Sequence, residues 1–180
     1  MNKLFPRTTV GGVSLPRMLM GTNWLIGYSH RSAAADCGIR EKYATPESYL
    51  PVIEAYLDYG IDAIMGPIST TPVALEAIKY AENVTGKKIT IIDTPYINVD
   101  DTAEARAEAN ALIKKSREIG STFCLIHHAS AEQLVNKNKR IIDRLPDYLY
   151  MIREAGLVPG LSAHMPELVQ YSDANEYDVE

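Results

Sequence analysis

Four times in this chain a helical pattern stops at a glycine and an apolar, β-rich run begins. Gly60 precedes IDAIMGP, Gly86 precedes KKITIIDTPY, Gly120 precedes STFCLIHH and Gly156 precedes LVPGLSAH. A glycine just past a helix end adopts the left-handed conformation without a Cβ clash, so each junction predicts a helix stop followed by a strand start. An earlier run, Arg17 to Trp24 (RMLMGTNW), supplies a first strand. The helices between carry start signals of their own. Thr45-Pro46-Glu47, Thr71-Pro72 and Met165-Pro166-Glu167 put proline in a first turn that needs no N–H, while Asp101 or Thr102 and Ser130 can cap the others.

Nearly continuous apolar strands separated by helices predict a parallel sheet covered on both faces. The spacing of about 30–40 residues per unit fits a βαβ repeat. The expected fold class is therefore α/β, a single domain over residues 1–180 with an N-terminal hairpin in 1–16 and about five βα units in 17–180. The hairpin is read from TTV-Gly11-Gly12-VSL, because a Gly-Gly pair accepts the positive φ angles of a primed two-residue turn. With 46% hydrophobic and 23% charged residues, the chain can bury a core without disulfides. Its two cysteines, Cys37 and Cys124, have no C-x-x-C spacing and are expected to be free thiols.

The hairpin followed by LPRMLMGTNW resembles the opening of aldo-keto-reductase-like (β/α)8 barrels, and the chain as a whole resembles an uncharacterised bacterial TIM-barrel family. That resemblance implies a partial TIM-type barrel, since a full barrel would add three more units. The alternative is a five-stranded doubly wound, flavodoxin-like sheet. A partial barrel would expose strand edges, which implies a homo-oligomer or association through those edges. The resemblance also implies an aldo-keto-reductase-like oxidoreductase as one possible activity. That family uses an aspartate and a tyrosine after strand two, a lysine ending strand three and a histidine ending strand four. Only the last is met here, by His127 or His128, while strand two ends in GPIST and strand three in DTPY, without lysine.

The net charge of −5 and the lack of clustered Lys/Arg with interleaved aromatics argue against a nucleic-acid partner. No run approaches the ~18 apolar residues of a membrane span and the N-terminus lacks a signal-peptide core, so no membrane association and a cytoplasmic location are expected. No G-x-G-x-x-G or Walker loop occurs, and no nucleotide cofactor motif is present.

In parallel α/β sheets, ligands bind beyond the carboxyl ends of the strands. The residues expected there are Asn23 and Trp24; Gly66, Pro67, Ser69 and Thr70; Asp93, Thr94 and Tyr96; His127 and His128; and Ser162, His164 and Glu167. His30 lies in the long connection after the first strand, so all four histidines share this side. Because neighbouring strand residues point to opposite faces, His127 and His128 are not expected to face the same way. The bulky set Phe123, Leu125, His127 suits packing under helices. Cys124, Ile126, His128 and, on the next strand, Gly160, Ser162, His164 suit the inner side.

Two histidines from adjacent strands plus a carboxylate, Asp93 or Glu167, would provide three ligands to a catalytic divalent metal such as zinc, manganese or iron. Without a metal, His128 or His164 would be the general acid–base group with Asp93 in support, and Asn23, Thr94 and Ser162 would donate to a developing oxyanion. The expected substrate-binding set is Asn23, Trp24, His30, Ser162 and Tyr96. The connection Ile26–Ala44 reads as a lid or as a solvated loop with a short helix, and Lys137, Lys139, Arg140 and Arg144 form a local basic cluster. The leading expectation is a small-molecule lyase, isomerase or hydrolase. The rival is a non-catalytic partial barrel, a fragment or assembly module of a larger TIM-barrel protein.

Overall fold

The computed structural model describes residues 4–180, so residues 1–3 of the expected hairpin segment lie outside the described residues. The chain forms two compact units, one ending at Ile91 and the other running from Ile92 to Glu180.

The first unit opens with an antiparallel hairpin of β1 (Arg7–Val10) and β2 (Val13–Pro16), in register from Arg7 opposite Pro16 to Val10 opposite Val13. Gly11 and Gly12 have φ of 52° and 76°, as the primed turn requires. The Arg7 guanidinium ties the hairpin down, with Nη1 at 2.9 and 3.1 Å from the two Asp62 carboxylate oxygens and also donating to Gly60 O. Next comes β3 (Met20–Gly21), shorter than the predicted run Arg17–Trp24 because the chain turns at Thr22 into a single-turn helix, α1 (Asn23–Ile26). The long connection that follows contains α2 (Ala33–Lys42), capped by Ser32 Oγ accepting from Ala35 N–H at 3.2 Å, with no buried residue.

Helices α3 (Pro46–Leu57) and α4 (Pro72–Thr85) start at the predicted prolines and pack side by side, with β4 (Ala63–Gly66) and a 3₁₀ turn at Ile68–Thr70 between them in sequence. The buried stripes Tyr49, Ile53, Leu57 and Ala74, Ala77, Ile78, Ala81 repeat at three- and four-residue intervals, one apolar face per helix. The Tyr49 hydroxyl donates to Leu25 O at 3.0 Å, fixing α1 against α3. Gly66 has no room for a side chain, since a Cβ there would lie 1.9 Å from Thr22 Oγ1.

Strand β5 (Thr90–Asp93) begins in the first unit and ends in the second, which continues with α5 (Ala103–Glu118), β6 (Phe123–Ile126) and α6 (His128–Ala131), the last extended by a 3₁₀ turn at Glu132–Leu134. A two-stranded ribbon of β7 (Val135–Asn136) and β8 (Ile141–Ile142) leads to α7 (Leu145–Glu154), β9 (Val158–Leu161) and α8 (Pro166–Ala174). Of the two predicted caps for α5, Thr102 is the one used, its Oγ1 accepting from Ala105 N–H. Ser130 is not a cap: it lies inside α6, where its hydroxyl donates to Ile97 O at 2.8 Å and accepts from Ile97 N–H at 3.0 Å. The core of this unit gathers Ala109 and Ile113 of α5, Cys124 and Ile126 of β6, Tyr148, Leu149 and Ile152 of α7, and Leu168 and Tyr171 of α8. Each fully buried Ile or Leu contributes about 1.5–3 kcal/mol relative to exposure.

The α/β class expected from sequence is the one observed: a five-stranded parallel sheet in the order β3-β4-β5-β6-β9, with the hairpin β1-β2 separate from it. The strands follow chain order throughout. A flavodoxin-like sheet reverses its order at a switch point, and this sheet has no reversal. No helix among the described residues is long and apolar enough to cross a membrane.

Candidate metal centre

The second unit brings three histidines together by ending β6 at Ile126, two residues before the His128 to which the strand alternation was carried from sequence. Strand geometry stops at Ile126; His127, with φ −56° and ψ 140°, is the N-cap of α6, and its Nδ1 accepts from Ala129 N–H at 3.2 Å. His128 is already helical, so strand alternation does not apply to the pair. Their ring centroids lie 4.2 Å apart, and the His128 ring lies 3.8 Å from that of His164. Tyr96 meets His127 edge-on at 6.2 Å. The expectation that His127 faces away from His128 is therefore corrected.

The face assignment within β6 is corrected too. Cys124 and Ile126 pack into the core with α5 and α7, whereas Leu125 lies on the opposite face beside Gly160, where a Cβ would sit 2.8 Å from Leu125 Cγ. Side-chain bulk along one strand does not determine which face the helices cover.

Glu132 completes the group. It follows His128 by four residues, hence on the same helical face, and its Oε2 lies 3.9 Å from His128 Nδ1. Its Oε1 accepts from His164 N–H at 2.6 Å and Met165 N–H at 3.1 Å, clamping the β9–α8 turn. Burial opposes ionisation of this carboxyl, but the two amide hydrogen bonds and the neighbouring imidazoles outweigh it and hold Glu132 below the usual carboxylate range. At His127, burial, followed by the charges of His128 and His164, keeps the imidazole below its ordinary value, with Glu132 acting in the other direction.

One ligand atom each from His128, Glu132 and His164 lie within 4.8 Å of one another, His128 and Glu132 half-buried and His164 exposed. Ligands at about 2.1 Å from a tetrahedral ion lie about 3.4 Å from each other, so a contraction of about an ångström would close this set. Two imidazoles and a carboxylate suit a borderline divalent ion.

The other expected residues divide clearly. Asp93 is wholly buried at the end of β5 and its carboxylate accepts from Ser116 Oγ of α5 at 2.5 Å; it is not one of the three converging ligands. Glu167 is not the carboxylate of the cluster either, because it is paired with Lys137 at 2.7 Å. The hydrogen bond from Lys137, reinforced by its charge, holds the Glu167 carboxyl below the usual range. Ser162 follows β9 and its backbone N–H donates to Ile126 O at 3.1 Å. Asn23, Trp24 and His30 belong to the first unit, where Asn23 Nδ2 and His30 Nε2 are 3.0 Å apart and Trp24 is exposed. Both cysteines are free.

Glu132 is the member of the cluster that the sequence reading left out, and His127 the one that it assigned to packing under the helices. The signal for Glu132 was present, as His128-x-x-x-Glu132 is the four-residue spacing of two groups on one helical face. It becomes visible only once the helix is known to start at His127. The chain matches no protein-family model and no curated protein sequence.

Proposed function

We propose that this chain is a divalent-metal-dependent small-molecule enzyme of lyase, isomerase or hydrolase type, with His128, Glu132 and His164 as the ligands. The carrying observation is the convergence of their donor atoms within 4.8 Å at the carboxyl ends of β6 and β9. A zinc, manganese or iron ion held by two imidazoles and one carboxylate keeps open positions, where it polarises a carbonyl or lowers the pKa of a bound water. Oε1 of Glu132 is held by the two amides, which would leave Oε2 for the ion, so His164 is positioned by the same side chain that would complete the ligand set. Tyr96, exposed beside His127, forms one wall for a small substrate.

Equilibrium dialysis of the purified chain against zinc, manganese and iron tests this reading. One ion per chain, lost in His128→Ala and in His164→Ala, is the expected result, and a chain that takes up none of the three overturns it. A metal-free alternative draws on the His128–Glu132 approach of 3.9 Å, with the imidazole as general base and the carboxylate in support. Activity retained after exhaustive chelation selects that alternative. The sequential strand order supports a partial (βα)8-type barrel that self-associates through its edge strands, and a monomeric mass in solution would count against that assembly.

A further inference from the structure

We infer that His127, the third imidazole of the row, donates a hydrogen bond to a carboxylate oxygen of the substrate held at the metal. This rests on the metal reading above and extends it by naming the substrate class, a small carboxylic acid. Three observations combine. Nδ1 of His127 is already occupied as the acceptor for Ala129 N–H at 3.2 Å, so a ring that caps α6 carries its proton on Nε2 and is a donor there. The ring lies 4.2 Å from that of His128, yet His127 is not among the residues whose ligand atoms converge, so it adjoins the ligands without belonging to them. Tyr96 meets the half-buried His127 ring edge-on at 6.2 Å, so this ring has a phenol ring and the His128 ring as neighbours.

The chemistry of these donors selects the anion. A phosphate dianion is ordinarily gathered by Arg, Lys or the N–H groups of a helix N-terminus. Here Lys137 is taken by Glu167, and the amides of His164 and Met165 are taken by Glu132. One imidazole N–H beside a divalent ion matches a monoanion that places one oxygen on the ion and the other on the donor, which is a carboxylate.

The test uses the full chain loaded with cobalt(II), titrated with acetate while the visible spectrum of the ion is followed. His127→Asn keeps an oxygen near the Nδ1 position to cap α6 and removes the Nε2 donor; His127→Gln restores an N–H near Nε2. All three proteins are expected to take up cobalt with affinities within about threefold, and acetate to bind about tenfold more weakly to His127→Asn, with most of the loss recovered in His127→Gln. Unchanged acetate affinity in His127→Asn overturns the inference while cobalt uptake leaves the metal reading intact. So does a His127→Gln protein no better than His127→Asn, which would assign the loss to ring packing. Loss of cobalt uptake confined to His127→Asn also overturns it, making His127 a support of the metal. A wild-type chain that fails to take up cobalt overturns both readings together.

Discussion

The second unit holds two polar clusters near strand ends, and they differ in what surrounds them. Asp93 and Cys124 are buried against Ser116 of α5, with Ser116 Oγ donating to the Asp93 carboxylate at 2.5 Å and Cys124 Sγ 3.9 Å from the same hydroxyl. His127, His128, Glu132 and His164 lie half-buried or exposed, the three imidazoles tilted against one another with centroids 4.2 and 3.8 Å apart. In the first cluster polar groups removed from water satisfy one another, which is what a folded interior demands. In the second, nitrogen and oxygen donors converge where solvent and solute reach them. Polarity at a strand end is therefore no sufficient mark of a site; accessibility separates a packing device from a place for chemistry.

Substitutions should pull the two clusters apart, and the largest effect belongs to the open one. His128→Ala or His164→Ala is expected to weaken metal binding by more than the roughly 10–100-fold that follows loss of an outer partner, with the urea midpoint little changed. Dialysis and urea unfolding of the same preparations read both quantities. Comparable loss of stability and of metal binding would show that the clusters are not separable.

Ser116→Ala should reverse the pattern. Removing that donor from the buried Asp93 carboxylate is expected to lower stability by about 2–3 kcal/mol, seen in urea unfolding, while metal affinity holds. If instead metal uptake falls with stability intact, Asp93 returns as a site residue.

The buried thiol supplies a pH signature. Burial, reinforced by the Asp93 charge, pushes Cys124 from an ordinary value of 9.0 up to about 12. The unfolded chain releases this proton at a pH where the folded chain retains it, so stability should fall as pH rises from about 9 towards 12. Cys124→Ala should reduce that slope, with the remainder coming from the Tyr49 and Tyr148 hydroxyls, which burial also pushes up. At neutral pH the same contrast is chemical: a thiol reagent should modify exposed Cys37 promptly and reach Cys124 only on unfolding.

The smallest effect is expected at Glu167, one of the two carboxylates that the sequence offered as a ligand. Glu167→Gln breaks an exposed pair with Lys137 and should leave metal affinity within about twofold, whereas Glu132→Gln should lower it by more than tenfold. Calorimetric titration of the two variants side by side distinguishes them, and equal losses would restore Glu167 to the ligand set.

Much of the fold was legible because its signals are local. The helix stops at Gly60, Gly86, Gly120 and Gly156 all have positive φ, and the prolines at 46, 72 and 166 each open a helix. These depend on the steric limits of single residues, which do not wait for tertiary contacts. His128 and His164 were also within reach, since the carboxyl end of a strand is a position in the sequence as well as in space.

What the tertiary structure decided were the relations between elements. Whether β6 ends at Ile126 or runs on to His128 depends on His127 capping the next turn, and that two-residue difference undoes the alternation that separated the two imidazoles. Glu132 rather than Glu167 joins them because the turn after β9 offers its amides to the first and Lys137 occupies the second. Asp93 was legible as a strand-end acid and is buried under α5, because Ser116 reaches it from a helix 23 residues further along the chain. Local sterics write the order of strands and helices into the sequence; the partner that each polar side chain meets is set by packing between segments far apart in it.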